Sequence, residues 1–346
     1  MISKELHLSP SYCHYHLMDT IEQELSYKNG GFGSFAAWQS RLRHKLADIT
    51  GLSQIVPANA FDVQSVWRQE DSVGTIEKIV YASEPYSDVP AYVCIPRGAT
   101  PPYRYFICVQ GHSTGMHNSI RRNLEDEFTP HMPEGDRDFA YGCMERGIAA
   151  LCIEQRSFGY RGEVNQMRRA QSYCHDAAMH ALMLGRTLIG ERVFDVGRGI
   201  EYLKSRGDAQ MESIGIVGNS GGGTTSVFAA ALLPEIAYAI PSCYFCTFRD
   251  SILSIYHCVC NYVPGLYRYA EMADVLGLFA PKGLVVVSGA QDDIFPLEAT
   301  KRAFADLKDI YRAAGAEDNC TLVVGSEGHR FYAEEAWKAM SVYLQR

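Results

Sequence analysis

Several things are missing from this 346-residue sequence, and each absence removes a class of function. No run of about 18 uncharged apolar residues occurs, so a membrane-spanning helix is not expected. The opening Met1-Ile2-Ser3-Lys4-Glu5-Leu6-His7-Leu8 holds no apolar stretch long enough for a signal-peptide core, which makes a non-exported, cytoplasmic protein the expectation. There is no basic excess: 32 Lys+Arg stand against 40 Asp+Glu, a net charge of −8, so the footprint of a nucleic-acid binder is lacking. Internal repeats, low-complexity tracts and Pro/Gly/Ser linkers are also lacking, and the default is one domain over 1–346 with appendages. Cysteine is not scarce, but its count of eleven is odd and several thiols sit in apolar runs such as Phe106-Ile107-Cys108-Val109. Buried, reduced thiols are expected rather than a disulfide framework.

What is present is a 47% hydrophobic chain, enough for a large core that needs no metal or staple to fold. Short Val- and Ile-rich runs recur at 91–95, 105–110, 148–154, 214–218, 237–241, 284–288 and 321–325, strand-sized and apolar on both faces. Amphipathic stretches of helical length lie between them at 137–146, 175–189, 191–205, 224–233, 297–314 and 333–344. This alternation predicts an α/β fold, a mostly parallel sheet with helices on both faces. Ahead of it, 35–49 reads as a helix within an N-terminal helical extension over 1–65, and 63–82 reads as one or two antiparallel strands. Residues 242–280, between two core strands, are too many for an ordinary connection and are expected to form a lid-like insertion over the strand ends.

Ligands of such sheets bind beyond the carboxyl ends of the strands, so the residues after each strand carry the information. After 214–217 comes Gly218-Asn219-Ser220-Gly221-Gly222-Gly223 and then a small-residue run, a G-x-S-x-G strand–turn–helix elbow. Glycines flank the serine because strand and helix approach closely at a strained turn, and the N–H of Gly221 at the helix start can face a developing oxyanion. The pattern occurs twice. Gly111-His112-Ser113-Thr114-Gly115 also follows a strand, but the polar, basic residues after it have no small face to pack under a sheet, which favours Ser220 over Ser113. A serine needs a base, and the base an orienting acid. Asp292 follows one downstream strand and His329 another, in the chain order Ser, Asp, His of an α/β-hydrolase, with Asp293 and Asp250 as lesser alternatives for the acid. The second oxyanion donor is expected from the loop after 105–110, as the backbone N–H of His112.

Three other groups invite a reading. Glu154–Gly162 could bring charge to the cleft, although Arg156 is better read as pairing with a carboxylate to hold that loop. Cys243-x-x-Cys246 and His257-Cys258-x-Cys260 carry zinc-type ligands, but their apolar, aromatic setting favours buried thiols, and no metal or cofactor is expected. The insertion also carries Tyr244, Phe245, Phe248, Tyr256, Tyr262 and Tyr267, rings expected to narrow an acyl pocket.

At these residues the chain resembles the α/β-hydrolase superfamily, and within it the acetyl xylan esterase and cephalosporin-C deacetylase-like branch related to dienelactone hydrolases. The likeness runs from about Trp38 to the C-terminus, through the 38–52 helix, Gln110-Gly111-His112, 154–162, Leu184-Gly185-Arg186…Asp195, the Ser220 elbow, 257–265 and the Asp292 and His329 turns. It implies a metal-free serine esterase with Ser220, Asp292 and His329 as triad and His112 and Gly221 as oxyanion donors. Two departures from the branch are expected to line the cleft: Gln110-Gly111 where His-Gly is usual, and Glu154 with Ser157 where Asp and Gly are usual. The leading expectation is hydrolysis of a small-acyl ester, an acylated sugar among the candidates, with homo-oligomerisation left open. The competing readings are a prolyl-oligopeptidase-type peptidase, which the ~100 residues before the sheet cannot equip with a propeller, and a non-catalytic binding protein on a hydrolase scaffold.

Overall fold

The computed structural model describes residues 6–162 and 173–346. Among these residues nine strands form a single sheet: β1 (Gln64–Glu70), β2 (Gly74–Glu84), β3 (Ser87–Pro96), β4 (Tyr105–Val109), β5 (Ala149–Ile153), β6 (Ile214–Asn219), β7 (Ile236–Ser242), β8 (Gly283–Gly289) and β9 (Cys320–Gly325). Their order is β1-β2-β3-β5-β4-β6-β7-β8-β9. The first three pairings, β1 with β2, β2 with β3 and β3 with β5, are antiparallel, and every pairing from β5–β4 to β8–β9 is parallel. The α/β class read from the sequence is therefore met. Residues 91–95 lie in an antiparallel strand, and they read like the parallel ones because the sheet is covered on both sides there too.

The period-2 pleat divides the core. Tyr105, Ile107 and Val109 of β4 face one layer, built on α2 (Phe35–Ile49), α5 (Leu188–Arg206), α6 (Gly221–Leu232), α7 (Met272–Gly277) and α8 (Leu297–Ala313). Phe106 and Cys108 face the other, built on α3 (Phe139–Met144) and α9 (Ala333–Leu344). Within 1–65, α1 (Pro10–Thr20) buries no residue, whereas α2 buries Trp38, Leu42 and Leu46 in the main core. Trp38 satisfies its indole N–H on the Leu25 carbonyl, 2.8 Å away.

The boundary between the two helices expected over 175–189 and 191–205 falls earlier in the chain. α4 (Tyr173–Met183) stops before Gly185, whose φ of +77° suits glycine, and Thr187 then caps α5 by accepting the Gly190 N–H at 3.0 Å. Among the described residues no helix is long and apolar enough to cross a membrane.

Candidate active site

β6 ends at Asn219 and α6 starts at Gly221, so Ser220 alone makes the turn, at φ +57° and ψ −120°. A non-glycine residue holds that conformation only when its surroundings over-determine it. Here the Ser220 N–H donates to the Ser242 carbonyl of β7 at 2.9 Å, and its carbonyl accepts the Thr224 N–H at 2.9 Å. Close backbone approach does the rest: a Cβ on Gly222 would stand 2.0 Å from the Val109 carbonyl oxygen, and one on Gly218 would stand 2.5 Å from that of Gly222.

Asp292, buried after β8, uses both carboxylate oxygens. Oδ1 accepts the N–H groups of Ile294 and Phe295 at 3.0 and 3.2 Å, and Oδ2 pairs with His329 Nδ1 at 2.8 Å. His329, after β9, keeps its Nε2 buried and without a partner among the described residues. Phe295 stacks beside the imidazole, centroids 5.9 Å apart, with His257 behind it at 5.5 Å. Burial is the main reason the His257 imidazole is pushed down to about 4, so this second histidine is neutral near pH 7. Cys243 lies under the pair and donates its thiol to the Arg330 carbonyl at 3.1 Å; burial, then the Asp292 charge, pushes it up to about 12. Of the lesser acids, Asp250 is held by Thr247 and by Arg302, 2.7 Å away, and Asp293 is exposed, the His329 hydrogen bond going to Asp292.

Ser220, Gly221, His112 and His329 line one cavity of about 970 Å³, together with Ser113, Phe158, Phe295, His257 and Asn261. The loop after β4 packs on the elbow: a Cβ on Gly111 would lie 3.1 Å from that of Ser220, and one on Gly221 would lie 2.8 Å from His112 Nδ1. The His112 ring turns away to Cys260, with Nε2 3.0 Å from the sulfur, and meets Phe158 edge-on at 5.1 Å. Gln155 ties the assembly together by donating to the Gln110 carbonyl.

Several expectations need correction. Gln110 and Glu154 do not line the cavity. The Gln110 side chain is buried on Ser119 and on the Arg137 carbonyl, 2.7 Å from each. Glu154 is buried with its oxygens on the N–H groups of Met116 and Tyr160, at 3.0 and 3.2 Å. Ser157 does line the cavity. Arg156 holds its loop, as expected, through a bidentate pair with Asp195 at 2.9 Å and contacts to Glu84 and Glu191. Burial raises the Asp195 carboxyl, but Arg161 and Arg156 outweigh it and hold the group well below the usual range. Of the six rings of the insertion only Tyr256 lines the cavity; Tyr244, Phe245 and Phe248 are drawn into the main core, where apolar burial is greatest. The zinc suspects are also dispersed. Cys243 sits by Asp292, Cys246 reaches the Pro296 carbonyl and His257 meets Ser251, while Cys258 and Cys260 face His112 and Cys174. Cys174, Phe158 and Phe295 were not singled out in the sequence. Only Phe295 had a local signal, its place three residues after Asp292.

The family model described as "Abhydrolase family" matches residues 15–341. A curated relative, "Putative hydrolase YtaP" of Bacillus subtilis (strain 168), is 22% identical over 282 residues, 80% of this chain and 90% of that protein. A structure from Bacteroides fragilis NCTC 9343 described as a "putative acetyl xylan esterase" superposes with TM-score 0.77 at 15% identity, covering 92% of this chain and 83% of that one. An acetyl xylan esterase from Paenibacillus sp. R4 gives TM-score 0.61 at 16% identity, covering 96% and 98%. A glucuronoyl esterase from Solibacter usitatus gives 0.65 at 13%, covering 94% and 97%. The resemblance to the acetyl xylan esterase-like branch is met by these neighbours. With a strand–turn–helix elbow at the carboxyl edge of a nine-stranded sheet and a family match over nearly its whole length, the chain belongs to the abhydrolase family and has the α/β-hydrolase fold.

Proposed function

We propose that this chain is a carboxylic ester hydrolase working through an acyl-enzyme on Ser220, with His329 as base, Asp292 as its orienting acid, and the N–H groups of Gly221 and His112 as oxyanion donors. The observation that carries this reading is the Asp292–His329 hydrogen bond, which leaves Nε2 buried and unpartnered beside a cavity that Ser220 also lines. With its Nδ1 proton directed at Asp292, His329 presents the Nε2 lone pair. It takes the Ser220 proton as Oγ attacks the ester carbonyl. The negative charge that develops on the carbonyl oxygen is met by the N-terminus of α6, and His329 returns the proton to the departing alcohol. Water, deprotonated by the same imidazole, then releases the acid.

A small acyl group is supported by the rings nearest the reaction centre. The Phe158 ring comes within 3.2 Å of where a Gly221 Cβ would stand, and Phe295 flanks His329. The rest of the 970 Å³ leaves room for a larger alcohol, such as a sugar, and structural neighbours carry the names acetyl xylan esterase, methylesterase and glucuronoyl esterase. A p-nitrophenyl ester series tests this. kcat/KM is expected to peak at acetyl or propionyl and to fall at least roughly tenfold, about 1.4 kcal/mol, by octanoyl. A profile flat or rising toward octanoyl would overturn the small-acyl reading.

A further inference from the structure

Beside the serine site lies a cluster that ester hydrolysis does not use. His112 Nε2 and the sulfurs of Cys174, Cys258 and Cys260 all lie within 4.8 Å of one another. Two separations are short, His112 to Cys260 at 3.0 Å and Cys258 to Cys260 at 3.3 Å. A tetrahedral zinc ion with bonds of about 2.3 Å to sulfur and about 2.0 Å to nitrogen spaces its ligands by roughly 3.5–3.8 Å. Separations of 3.0 to 4.8 Å reach those values with shifts of less than an ångström per atom. The donor set, three thiols and an imidazole, is one that structural zinc prefers. The cluster sits at the wall of the cavity: Cys174 and Cys260 are buried and pack with Phe158, Ala178 and Leu188, while His112 and Cys258 are half-buried.

The charge around the cluster points the same way. Arg192 of α5 is buried, and its two terminal nitrogens each lie 3.4 Å from a sulfur, one at Cys260 and one at Cys174. Its Nε and one of the terminal nitrogens also donate to the Arg156 carbonyl, and no salt bridge joins it to a carboxylate among the described residues. A buried cation needs an opposing charge. Three thiolates and a neutral imidazole on Zn²⁺ carry a net charge of −1, which the Arg192 guanidinium balances while donating N–H···S bonds to two ligands.

We propose that His112, Cys174, Cys258 and Cys260 form a tetrahedral Zn²⁺ site that staples the loop after β4 to the start of α4 and to the 242–280 segment. Binding releases the three thiol protons to solvent and forms three Zn–S bonds and one Zn–N bond. Because all four positions are filled by protein, the ion has no open site for substrate or water, and its role is structural. A consequence, resting on the function proposed above, is that the metal holds the His112 ring and so fixes the backbone N–H that meets the oxyanion.

The test uses the full chain, stripped of metal by a chelator under a thiol-free reductant and titrated anaerobically with Zn²⁺ and with Co²⁺. Expected are one equivalent of Zn²⁺ per chain, and for Co²⁺ an intense sulfur-to-metal charge-transfer band with tetrahedral d–d bands. Losing an outer partner of a metal ligand costs roughly 10–100-fold in affinity, so Cys174→Ser and Cys258→Ser, each losing a ligand, should weaken Zn²⁺ by more than about 100-fold. Cys246→Ser, outside the cluster, should bind as the parent does, and circular dichroism of each variant separates a lost ligand from a lost fold. Less than a tenth of an equivalent bound at tenfold excess, no cobalt–thiolate band, or undiminished binding in folded Cys174→Ser and Cys258→Ser would each overturn the site. All these readouts are taken without substrate. Failure of an organophosphonate to label Ser220 would sink the hydrolase reading and leave the zinc result standing, and the reverse holds too.

Discussion

Two turns of this molecule share the string G-x-S-x-G, follow neighbouring strands and hold their serines at nearly the same φ, +57° at Ser220 and +60° at Ser113. Both serines line the same cavity. What differs is the support. Ser220 leads into α6, twelve residues buried throughout and pressed against β4 by glycines that leave no room for a Cβ. Ser113 leads into a five-residue 3-10 turn, Met116–Ile120, braced by a side chain: Glu154 accepts the Met116 N–H at 3.0 Å. The partners differ as well. Of the histidines that line the cavity, His329 is bonded to a carboxylate, while His117, four residues after Ser113, is buried with its Nδ1 unpartnered and is pushed down to about 4, chiefly by burial. A short motif thus selects a backbone conformation, and the packing around it is what sets the two turns apart.

The sharpest way to break this comparison is to remove each hydroxyl. Ser220→Ala should lower kcat on p-nitrophenyl acetate by about 10⁶ and abolish organophosphonate labelling. Ser113→Ala should keep the label and stay within about threefold of the parent rate, and label surviving in Ser220→Ala would reverse the assignment. Next in size is the acid. Asp292→Asn should cost about 10⁴ in kcat with little change in KM, because the imidazole loses its orientation and tautomer. Asp293→Asn should change kcat by less than about threefold, and equal losses in the two variants would dissolve the distinction between them.

The smallest effect concerns the brace of the other turn. Burial pushes the Glu154 carboxyl up to about 7, against its two backbone donors and Arg161. Since the folded value lies above the ordinary 4.5, the folded state binds the proton more tightly than the unfolded chain. Its contribution is therefore complete below about pH 4.5 and is lost as pH rises through 7, a change of about 3 kcal/mol at 1.36 kcal/mol per pH unit. In urea titrations the stability of the parent relative to Glu154→Gln should fall by about that amount between pH 4.5 and 8. A gap that stays constant across the window would rule out Glu154 as the pH-sensitive brace.

Much of this was legible in one dimension because the signals are local. The strands announced themselves as apolar runs, helix α2 was read at its observed limits, and the elbow, Asp292 and His329 each follow a strand within a few residues. Residues whose roles depend on distant partners were not. The six rings of the insertion looked like a pocket wall, yet three of them fill the core, because which face of an irregular segment turns inward depends on what packs beneath it. Glu154 and Gln110 looked like cleft residues because they follow strands, but backbone N–H groups and neighbouring side chains draw both inward.

By itself the sequence determined the α/β class, the single sheet, the elbow at Ser220 and the order in which the candidate serine, acid and base appear. These follow from side-chain periodicity and from the few residue types a strained turn accepts, and both properties are local. Only the tertiary structure decided which acid meets His329, which carboxylates Arg156 pairs with, and that His112 meets Cys174, Cys258 and Cys260 rather than leaving His257 and Cys243 to complete a cysteine cluster. Cys174 and Cys258 lie 84 positions apart. No spacing rule reaches that far, because their meeting is set by how α4 and the insertion pack over the sheet and not by any preference written in the residues between them.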